Sequence, residues 1–418
     1  MDELKIVSKR CGVINPLSID DYLAHEGYQA LERALSLTPE AIVAEVKKAY
    51  LRGRGGAGFP TATKMAALAA EPDPEKYVVV NADEGEPGNF KDRYLMENDP
   101  HSILEGMAIV AYATGAKKGY IYVRGEYDLP IKTLRWSVEQ ALARGYLGRM
   151  VMGAGFDFTV EVRSGAGSYV CGEEFALIES IEGKPGRTRV KPPFPTQKGI
   201  FGHPTLISNV ETFANVPAIL AMGGAAFAKI GTPSSTGTKL ICLSGNVKRR
   251  GVFEIPFGVS IRSVIDELGG GVEGGRKIRM VQLGGACGPI IPPLMLDMRI
   301  DYERFEEFES KTGAGAIIVI DDRFDLFRIL LRIITFFAHE SCGKCVPCRE
   351  GNAQLMVMLE KFIDRRATTA DLVSLESLAR VMHQTSLCGL GQTCPTSIIA
   401  ALRYFREDFL ERIEYPGI

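Results

Sequence analysis

The sequence contains no long uninterrupted apolar run. Its longest apolar stretches, such as residues 327–338, are broken by Arg328 and Arg332, so none reaches the roughly 18 residues that a membrane helix requires. The opening residues, MDELKIVSKRCG, contain no apolar core of signal-peptide length. We therefore expect no direct membrane insertion. The expected location is cytoplasmic, and any attachment to the inner membrane would be made through partner subunits.

The sequence also lacks an excess of charge of either sign. Its 49 Lys and Arg residues nearly balance its 51 Asp and Glu residues, giving a net charge of −2. A near-neutral chain is not expected to bind nucleic acid or an anionic membrane surface as its main partner. Its length of 418 residues is enough for two or three domains, each with its own core.

A nucleophilic catalytic set is another feature that the sequence lacks. No Ser, His and Asp combination and no Cys and His combination occurs at an interpretable spacing, so covalent catalysis is not expected. The nine cysteines, without a signal peptide, fit a reducing compartment in which thiols bind metals or lie buried. Cys11, Cys171, Cys242 and Cys287 are predicted to be packed thiols. His339 is predicted to be a helix-end residue rather than a ligand.

Three further cysteines form a C-x2-C-x2-C run. These are Cys342, Cys345 and Cys348, with Cys388 and Cys394 some forty residues further on. Three thiols at this spacing can bind three irons of a cubane and leave the fourth iron to a distant thiolate. A zinc site usually takes its ligands as two separated pairs. The spacing favours a [4Fe–4S] cluster, with a structural zinc site and unligated thiols as the alternatives.

The first half of the chain alternates strand and helix patterns. Thr38 and Pro39 are predicted to begin a helix whose apolar face includes Tyr50. The predicted strands lie at residues 77–81, 120–123 and 156–162. One predicted helix precedes the first strand, at residues 62–70. Two more lie between the strands, at residues 103–111 (closed by Gly115) and 131–142 (closed by Gly145). Strands that alternate with helices of this length predict an α/β fold with a largely parallel sheet.

The second half changes pattern twice. A proline-rich segment at 184–204 is predicted to be a binding loop, and 231–237 has the composition of a linker. Beyond it, a β-grasp-like domain is predicted from these elements: strands at 239–244 and 251–255, a helix at 260–268 and a strand at 279–283. Residues 325–418 are predicted to be helical, with the cysteines on the loops. The predicted domains are therefore 1–230, 238–324 and 325–418.

Two motifs in the first half suggest ligand binding. Gly53-x-Gly55-x-x-Gly58 matches the dinucleotide fingerprint, but it follows a helix instead of a strand, so an ordinary helix-to-helix turn is the alternative. Lys64 would add a positive charge beside it. The acidic turn 81–86 follows a buried strand, where open α/β sheets bind ligands. Its carboxylates could accept hydrogen bonds from a ribose or a flavin, or could simply form the turn.

Taken together, six segments resemble a known family: GRGGAGFPT, NADEGEPG, GAGSYVCGEE, KPPFP, ESCGKCVPCR and SLCGLG. Over about residues 45–400 the chain is similar to the NADH-binding, flavin-bearing F subunit of bacterial respiratory complex I. The resemblance implies an atypical Rossmann-like domain that holds FMN and NADH, a β-grasp (ubiquitin-like) domain, and a C-terminal helical bundle with a [4Fe–4S] cluster.

The resemblance also implies specific site residues. The positions that match the family's FMN- and NADH-binding residues are Gly53, Arg54, Gly55, Gly56, Gly58, Phe59, Lys64, Asn81, Asp83, Glu84, Glu86, Tyr169, Gly172, Glu173, Glu174, Lys191, Phe194, Ser208, Asn209 and Thr212. Among these, Glu86 would lie toward the nicotinamide, and Glu174 would read the ribose and favour NADH over NADPH by repelling a 2′-phosphate. The implied cluster ligands are Cys342, Cys345, Cys348 and Cys388. The SLCGLG match favours Cys388 over Cys394, which precedes a proline and competes on spacing alone.

The resemblance implies hydride transfer from NADH to FMN, and then one-electron transfer through the cluster to a thioredoxin-like [2Fe–2S] partner and finally to quinone. No side chain is expected to act as acid or base in the hydride step. We also expect the helical bundle to bring the loops of Cys348 and Cys388 toward the flavin. Met65 and Ala67 depart from the family pattern, which puts one aromatic contact to the adenine in doubt. The alternatives are a diaphorase subunit of an NAD-linked hydrogenase or formate dehydrogenase, and a zinc-stapled binding module.

Overall fold

The described part of the chain is residues 3–306 and 313–414 of a computed structural model. The predicted domain ranges include residues 1–2, 307–312 and 415–418, which lie outside the described residues. No helix in the two described ranges is long and apolar enough to cross a membrane.

The predicted parallel sheet is confirmed, and it has one strand more than the sequence pattern suggested. Its four strands are all parallel and lie in the order β3-β2-β1-β4. The strands are β1 Tyr77–Ala82, β2 Lys118–Val123, β3 Thr159–Ser164 and β4 Thr205–Asn209. Strand β4 was not predicted because its last residue, Asn209, is also the N-cap of the next helix and accepts a 3.0 Å bond from the Glu211 amide.

Helices cover both faces of this sheet. They are Ile19–Ala24, Gln29–Leu35, Pro39–Lys48, Thr61–Ala70, Lys91–Asn98, Pro100–Thr114, Asp128–Ala143, Glu174–Ile181, Val210–Met222 and Gly224–Phe227. Several predicted ends are confirmed: Thr38 accepts a bond from the Ala41 amide, and Gly115 takes the left-handed conformation with φ +78°. Tyr50 was wrongly predicted on an apolar helix face. It lies beyond the end of helix Pro39–Lys48, has a φ of +53° and is exposed.

A second, five-stranded sheet follows in the order β6-β5-β9-β7-β8. Its strands are β5 Thr238–Gly245, β6 Gly251–Pro256, β7 Ile278–Leu283, β8 Ile290–Ile291 and β9 Ala316–Asp321. The first two form an antiparallel hairpin, and β9 pairs parallel with β5. The helix after the hairpin runs from Ile261 to Ser263 and continues as a π-helical turn at Val264–Leu268. This pairing agrees with the predicted β-grasp arrangement.

The C-terminal region is helical, as predicted. Its helices are Leu326–Glu340, Val346–Ile363, Thr369–Thr385, Gly389–Thr393, Thr396–Tyr404 and Arg406–Leu410. The prediction that all the cysteines lie on loops was wrong for Cys348, which lies in the first turn of helix Val346–Ile363, where Pro347 favours an early helix start.

The helical bundle packs against one face of the first sheet, as expected. Tyr77 and Val79 of β1 belong to the same hydrophobic core as Phe175 and as Phe327 and Phe337 of the bundle. The opposite face of the sheet and the second sheet have cores of their own. The shared core holds the cysteine-bearing helices beside the carboxyl ends of the parallel strands.

Four buried charges join the first sheet's helices to the second sheet. Lys91 Nζ lies 2.6 Å from Asp92 Oδ1 and 3.1 Å from Glu211 Oε2, and Lys239 Nζ of β5 lies 2.5 Å from Glu211 Oε2. All four side chains are almost completely buried. Burial would raise the pKa of Glu211, but Lys239 and Lys91 lower it below its usual value. Burial lowers the pKa of Lys239 to about 8. Two positive and two negative charges therefore compensate one another.

We predict that Glu211→Gln destabilises the protein by about 3–5 kcal/mol, because it leaves two buried ammonium groups with one carboxylate. Thermal and urea unfolding would measure the loss. Asp128→Asn is the control, because Asp128 and Lys132 form an ion pair in which both side chains are exposed. Its effect should stay within about 1 kcal/mol. Equal unfolding curves for the two variants would contradict the prediction.

Candidate functional site

The glycine-rich loop lies against the carboxyl end of β4. Its ends are closed by a 2.9 Å bond from the Gly53 amide to the Phe59 carbonyl, and the Arg54 amide donates to Thr212 Oγ1 at 2.8 Å. A Cβ added to Gly55 would lie 3.1 Å from the Cβ of Asn209. A side chain at Gly55 would therefore crowd the strand end, which explains a glycine there.

Arg54 has a side chain that points away from this loop surface. Its guanidinium is fully buried, donates to the Thr236 carbonyl at 2.6 Å and lies 4.8 Å from the centroid of the Phe257 ring. These contacts tie the loop to the linker and to the second sheet. Only the backbone of Arg54 remains on the loop surface that a ligand would meet.

The carboxylates of the acidic turn have different surroundings. Glu84 accepts bonds from the amides of Asp92 and Arg93, each at 3.0 Å, so its side chain caps helix Lys91–Asn98. Burial raises its pKa to about 7. Glu86 accepts from the Tyr169 hydroxyl and, at 3.0 Å, from the Cys287 amide. These bonds of Glu84 and Glu86 are all made to groups of the protein itself. They fit the second of the two predicted roles, in which the carboxylates shape the backbone and do not bind a ligand.

Asp83 differs because one of its oxygens is buried without a hydrogen-bond partner among the described residues. Burial raises the pKa of this carboxyl to about 7, although Arg124 opposes the rise. The neighbouring Gly172 leaves space, since a Cβ added there would lie 3.6 Å from the Asp83 carbonyl oxygen. An unpartnered acceptor beside an open glycine suits a ligand that carries an N–H donor, such as the flavin ring.

A carboxylate held between two lysines forms the nearby wall of the site. Glu174 lies 2.5 Å from Lys64 Nζ and 2.9 Å from Lys191 Nζ through its two oxygens. Burial would raise the pKa of Glu174, but the two lysines lower it to about 2. The charge of Glu174 is therefore largely neutralised, and it repels a phosphate less than an isolated carboxylate would.

The remaining predicted residues divide into capping groups and exposed rings. Glu173 caps helix Glu174–Ile181 by accepting from two amides at 3.1 Å each. Asn209 accepts from Lys91 Nζ at 3.0 Å, and Ser208 is partly exposed beside it. Phe59 and Phe194 are 48% and 51% exposed, and exposed aromatic rings suit stacking with a nucleotide.

The turn Tyr169–Gly172 connects this pocket to the cysteine loop. On one side, Asn81 Nδ2 donates to the Gly172 carbonyl at 2.8 Å. On the other side, the Tyr169 amide donates at 2.9 Å to Glu340, which lies two residues before Cys342, the first cysteine of the run. Lys344, within that run, donates to the Thr188 carbonyl at 2.7 Å. The two regions are therefore in direct contact.

Four of the five C-terminal cysteines line one cavity, together with Val170 and Thr188. The four are Cys342, Cys345, Cys348 and Cys388. Gly343 takes the left-handed conformation, with φ +72°. No three His, Cys, Asp or Glu side chains in the described residues are grouped so that they could hold a single metal ion. The four thiols line one space, and this arrangement suits a polynuclear cluster bound at its corners.

Hydrogen-bond donors surround two of these sulfurs. Backbone amides of Leu390 and Gly391 donate to Cys388, and the Ser341 hydroxyl lies 3.3 Å from Cys348 Sγ. Donors of this kind stabilise thiolates, the form in which cysteine binds metal. The donor set therefore fits the implied cluster.

Cys394 lies apart from the cavity. It is fully buried, burial raises the pKa of its thiol well above the usual value, and its Sγ donates to Asn352 Oδ1 at 2.7 Å. Cys11, Cys171 and Cys242 are buried as predicted, whereas Cys287 is partly exposed.

The remaining side chains include some that the sequence predicted and some that it did not. His339 is exposed in the last turn of its helix, as predicted. Of the two departures from the family pattern, Met65 is buried in the core and Ala67 is exposed. Sequence reasoning missed Glu340 and Asn352, because their partners are set by tertiary packing and no local motif marks them.

Comparison with known proteins agrees with the geometry. Residues 46–218 match a family model for the Nuo51 FMN-binding domain, and residues 328–412 match one for the NADH-ubiquinone oxidoreductase-F iron-sulfur binding region. The chain is 45% identical over 397 residues to the F 2 subunit of NADH-quinone oxidoreductase from Rhizobium meliloti, covering 95% of this chain and 94% of that protein.

Two hydrogenase relatives are also similar. The HndC subunit of the NADP-reducing hydrogenase of Solidesulfovibrio fructosivorans is 44% identical over 412 residues, covering 99% of this chain and 84% of that one. The solved NAD+-reducing [NiFe]-hydrogenase in its H2-reduced state has a chain that superposes with a TM-score of 0.85 at 39% identity. The match covers 94% of this chain and 65% of that one.

The cavity predicts different outcomes for two cysteine variants. Cys388→Ala should lose most of the bound iron, because Cys388 lines the cavity with the other three thiols. Cys394→Ala should keep its iron, since Cys394 lies apart from them. Iron and sulfide analysis of both purified variants would measure this. Loss of iron in Cys394→Ala with retention in Cys388→Ala would reverse the assignment.

Proposed function

The chain belongs to the family of F subunits of NADH-quinone oxidoreductase, and we propose that it forms the NADH-oxidising entrance of a larger electron-transfer complex. Its cofactors are FMN and a [4Fe–4S] cluster, and its substrate is NADH. Bound FMN would supply a hydride acceptor that can release electrons singly, and the cluster would supply a one-electron acceptor. The chain thereby links a two-electron donor to a one-electron partner.

One observation carries this proposal: the turn Tyr169–Gly172 contributes to both sites. Val170 lines the cysteine cavity, and the Gly172 carbonyl accepts from Asn81 in the pocket. One short segment of the chain therefore holds the two sites next to each other.

The chain's own residues bind and orient the reactants, and none acts as acid or base in the hydride step. Asp83 would present its unpartnered oxygen to an N–H of the flavin ring. Lys64 and Lys191 would bind the anionic parts of the nucleotide, and Phe59 and Phe194 would stack on its rings. Cys342, Cys345, Cys348 and Cys388 would hold the cluster.

Electrons leave the chain through a partner. The relatives are subunits of multi-subunit complexes by name. We propose that the acceptor is a thioredoxin-like [2Fe–2S] subunit of a peripheral complex I arm, that quinone is the final acceptor, and that attachment to the inner membrane is made through partner subunits.

A second candidate is the electron-input subunit of a hydrogenase. The similarity to HndC, which is named as a subunit of an NADP-reducing hydrogenase, and to a chain of the NAD+-reducing hydrogenase favours it. The two lysines beside Glu174 also weaken the argument that its charge excludes NADP. Identification of the subunits that co-purify with the chain, and a comparison of NADH with NADPH as reductants, separate the two candidates.

Anaerobic titration with NADH tests the main proposal. We expect bleaching of the flavin absorbance, followed by a paramagnetic signal from the reduced cluster. Cys388→Ala should retain the bleaching and lose the signal. Bleaching of the unaltered protein without any new signal would remove the cluster from the pathway. A colourless, zinc-containing protein would support a binding module instead.

The pKa of Asp83, raised to about 7 by burial, predicts pH-dependent flavin binding. The ionised carboxylate accepts an N–H bond more strongly than the protonated form, which prevails below pH 7. FMN should therefore bind flavin-depleted protein about tenfold more weakly at pH 6 than at pH 8. Quenching of flavin fluorescence measures the affinity.

Two variants identify the titrating group. Asp83→Asn should weaken the pH dependence and leave only the part that comes from the FMN phosphate, whose second pKa is about 6. Glu84→Gln should retain the pH dependence. Glu84 is the other carboxyl whose pKa is raised to about 7, but its side chain is already bonded to two amides. A pH dependence that disappears in Glu84→Gln and persists in Asp83→Asn would contradict the assignment.

A further inference from the structure

Asn352 lies one helical turn after the cavity-lining Cys348 and is buried. Its Nδ2 donates to the Cys348 carbonyl at 2.8 Å and lies 3.6 Å from Cys348 Sγ. Its Oδ1 accepts from the Cys394 thiol at 2.7 Å. Asn352 therefore lies between one of the four cavity thiols and the fifth cysteine, which lines no part of the cavity.

The two neighbours determine which way the amide faces. The Cys348 carbonyl can only accept a hydrogen bond, so the NH₂ group of Asn352 must point toward it. The Cys394 thiol can then donate only to the amide oxygen on the other side. Rotating the amide by 180° would place the amide oxygen of Asn352 against the carbonyl oxygen of Cys348. It would also break the hydrogen bond from the Cys394 thiol, which makes the rotation still less favourable. The bond from Cys394 thereby completes the lock on the orientation of Asn352 that the Cys348 carbonyl begins.

We propose that Asn352, locked by Cys394, is a positioning residue that directs an N–H at Cys348 Sγ and raises the reduction potential of the bound cluster. The inference rests on the proposed function, in which Cys348 is a cluster ligand. One-electron reduction adds negative charge to the sulfurs, and an N–H dipole aimed at a sulfur stabilises that charge. Cys394 acts through its hydrogen, as a donor, and binds no iron.

The test is the midpoint potential of the cluster, measured by chemical redox titration with paramagnetic resonance on the holoprotein. In Asn352→Leu the potential should fall by about 59 mV, which corresponds to a tenfold lower ratio of reduced to oxidised cluster at a fixed potential. In Asn352→Asp the potential should fall at least as far, because the substitution replaces the donor with an acceptor while keeping the shape of the side chain.

The Cys394 variants test the lock separately. Cys394→Ala should lower the potential with full iron content, because the amide then loses one of the two hydrogen bonds that hold its orientation. Cys394→Ser should restore the original potential, because a hydroxyl can also donate to Oδ1. A merely structural role for this cysteine would not predict rescue by a smaller donor.

Asn215 provides a matched control. It is equally buried in helix Val210–Met222, and its Nδ2 donates at 2.7 Å to the carbonyl of Glu211, four residues earlier, as Asn352 does to Cys348. Asn215→Leu therefore removes the same kind of bond without a cysteine as the partner, and it should leave the potential unchanged.

Three results would overturn the inference: an unchanged potential in Asn352→Leu with full iron content, an equal shift in Asn215→Leu, or an equal shift in Cys394→Ser and Cys394→Ala. If Asn352→Leu loses iron, the two Cys394 variants decide the question. Because the titration uses chemical reductants, a failure of NADH oxidation does not affect it. Absence of a [4Fe–4S] signal in the unaltered protein would instead refute the proposed function.

Discussion

The contact between the turn Tyr169–Gly172 and the cysteine loop is the constraint on which the rest of the structure depends. Glu340 accepts from the Tyr169 amide, Lys344 donates to the Thr188 carbonyl, and a shared hydrophobic core lies beneath both bonds. Neither bond alone is strong, and the apolar burial supplies most of the adhesion. The bonds fix the orientation of the loop, so that the cysteine cavity opens against Val170.

The buried charges serve the pocket in a similar way. Burying ions is costly, and a well-packed apolar cluster could give comparable stability. The network of Lys91, Asp92, Glu211 and Lys239 has a further consequence, because Asn209 accepts from Lys91 and donates to Asp92 at 2.7 Å. The end of β4, against which the glycine loop lies, is thereby held in one orientation. The charge pairs therefore fix the orientation of these side chains more than they add to the free energy of unfolding.

Local chemistry determined how much of this could be predicted. The run YVVVN at residues 77–81 predicted β1, and Thr38 and Gly115 predicted helix ends, because neighbouring residues determine those features. Strand β4 was missed because its cap residue resembles a helix start. The motif containing Glu84 did not reveal that its side chain caps a helix seven residues further on. No pattern could show that the Arg54 guanidinium turns toward residues about 180 and 200 positions away in the chain.

The cysteines show most clearly where spacing stops being informative. Counting along the chain finds two thiols, Cys388 and Cys394, that could complete a cluster, and a proline beside the second makes it resemble a ferredoxin ligand. A thiol can, however, act through its sulfur as a ligand or through its hydrogen as a donor. Burial away from the cavity and a bond to Asn352 give Cys394 the second role. Six residues apart in sequence, the two thiols differ in which atom they present.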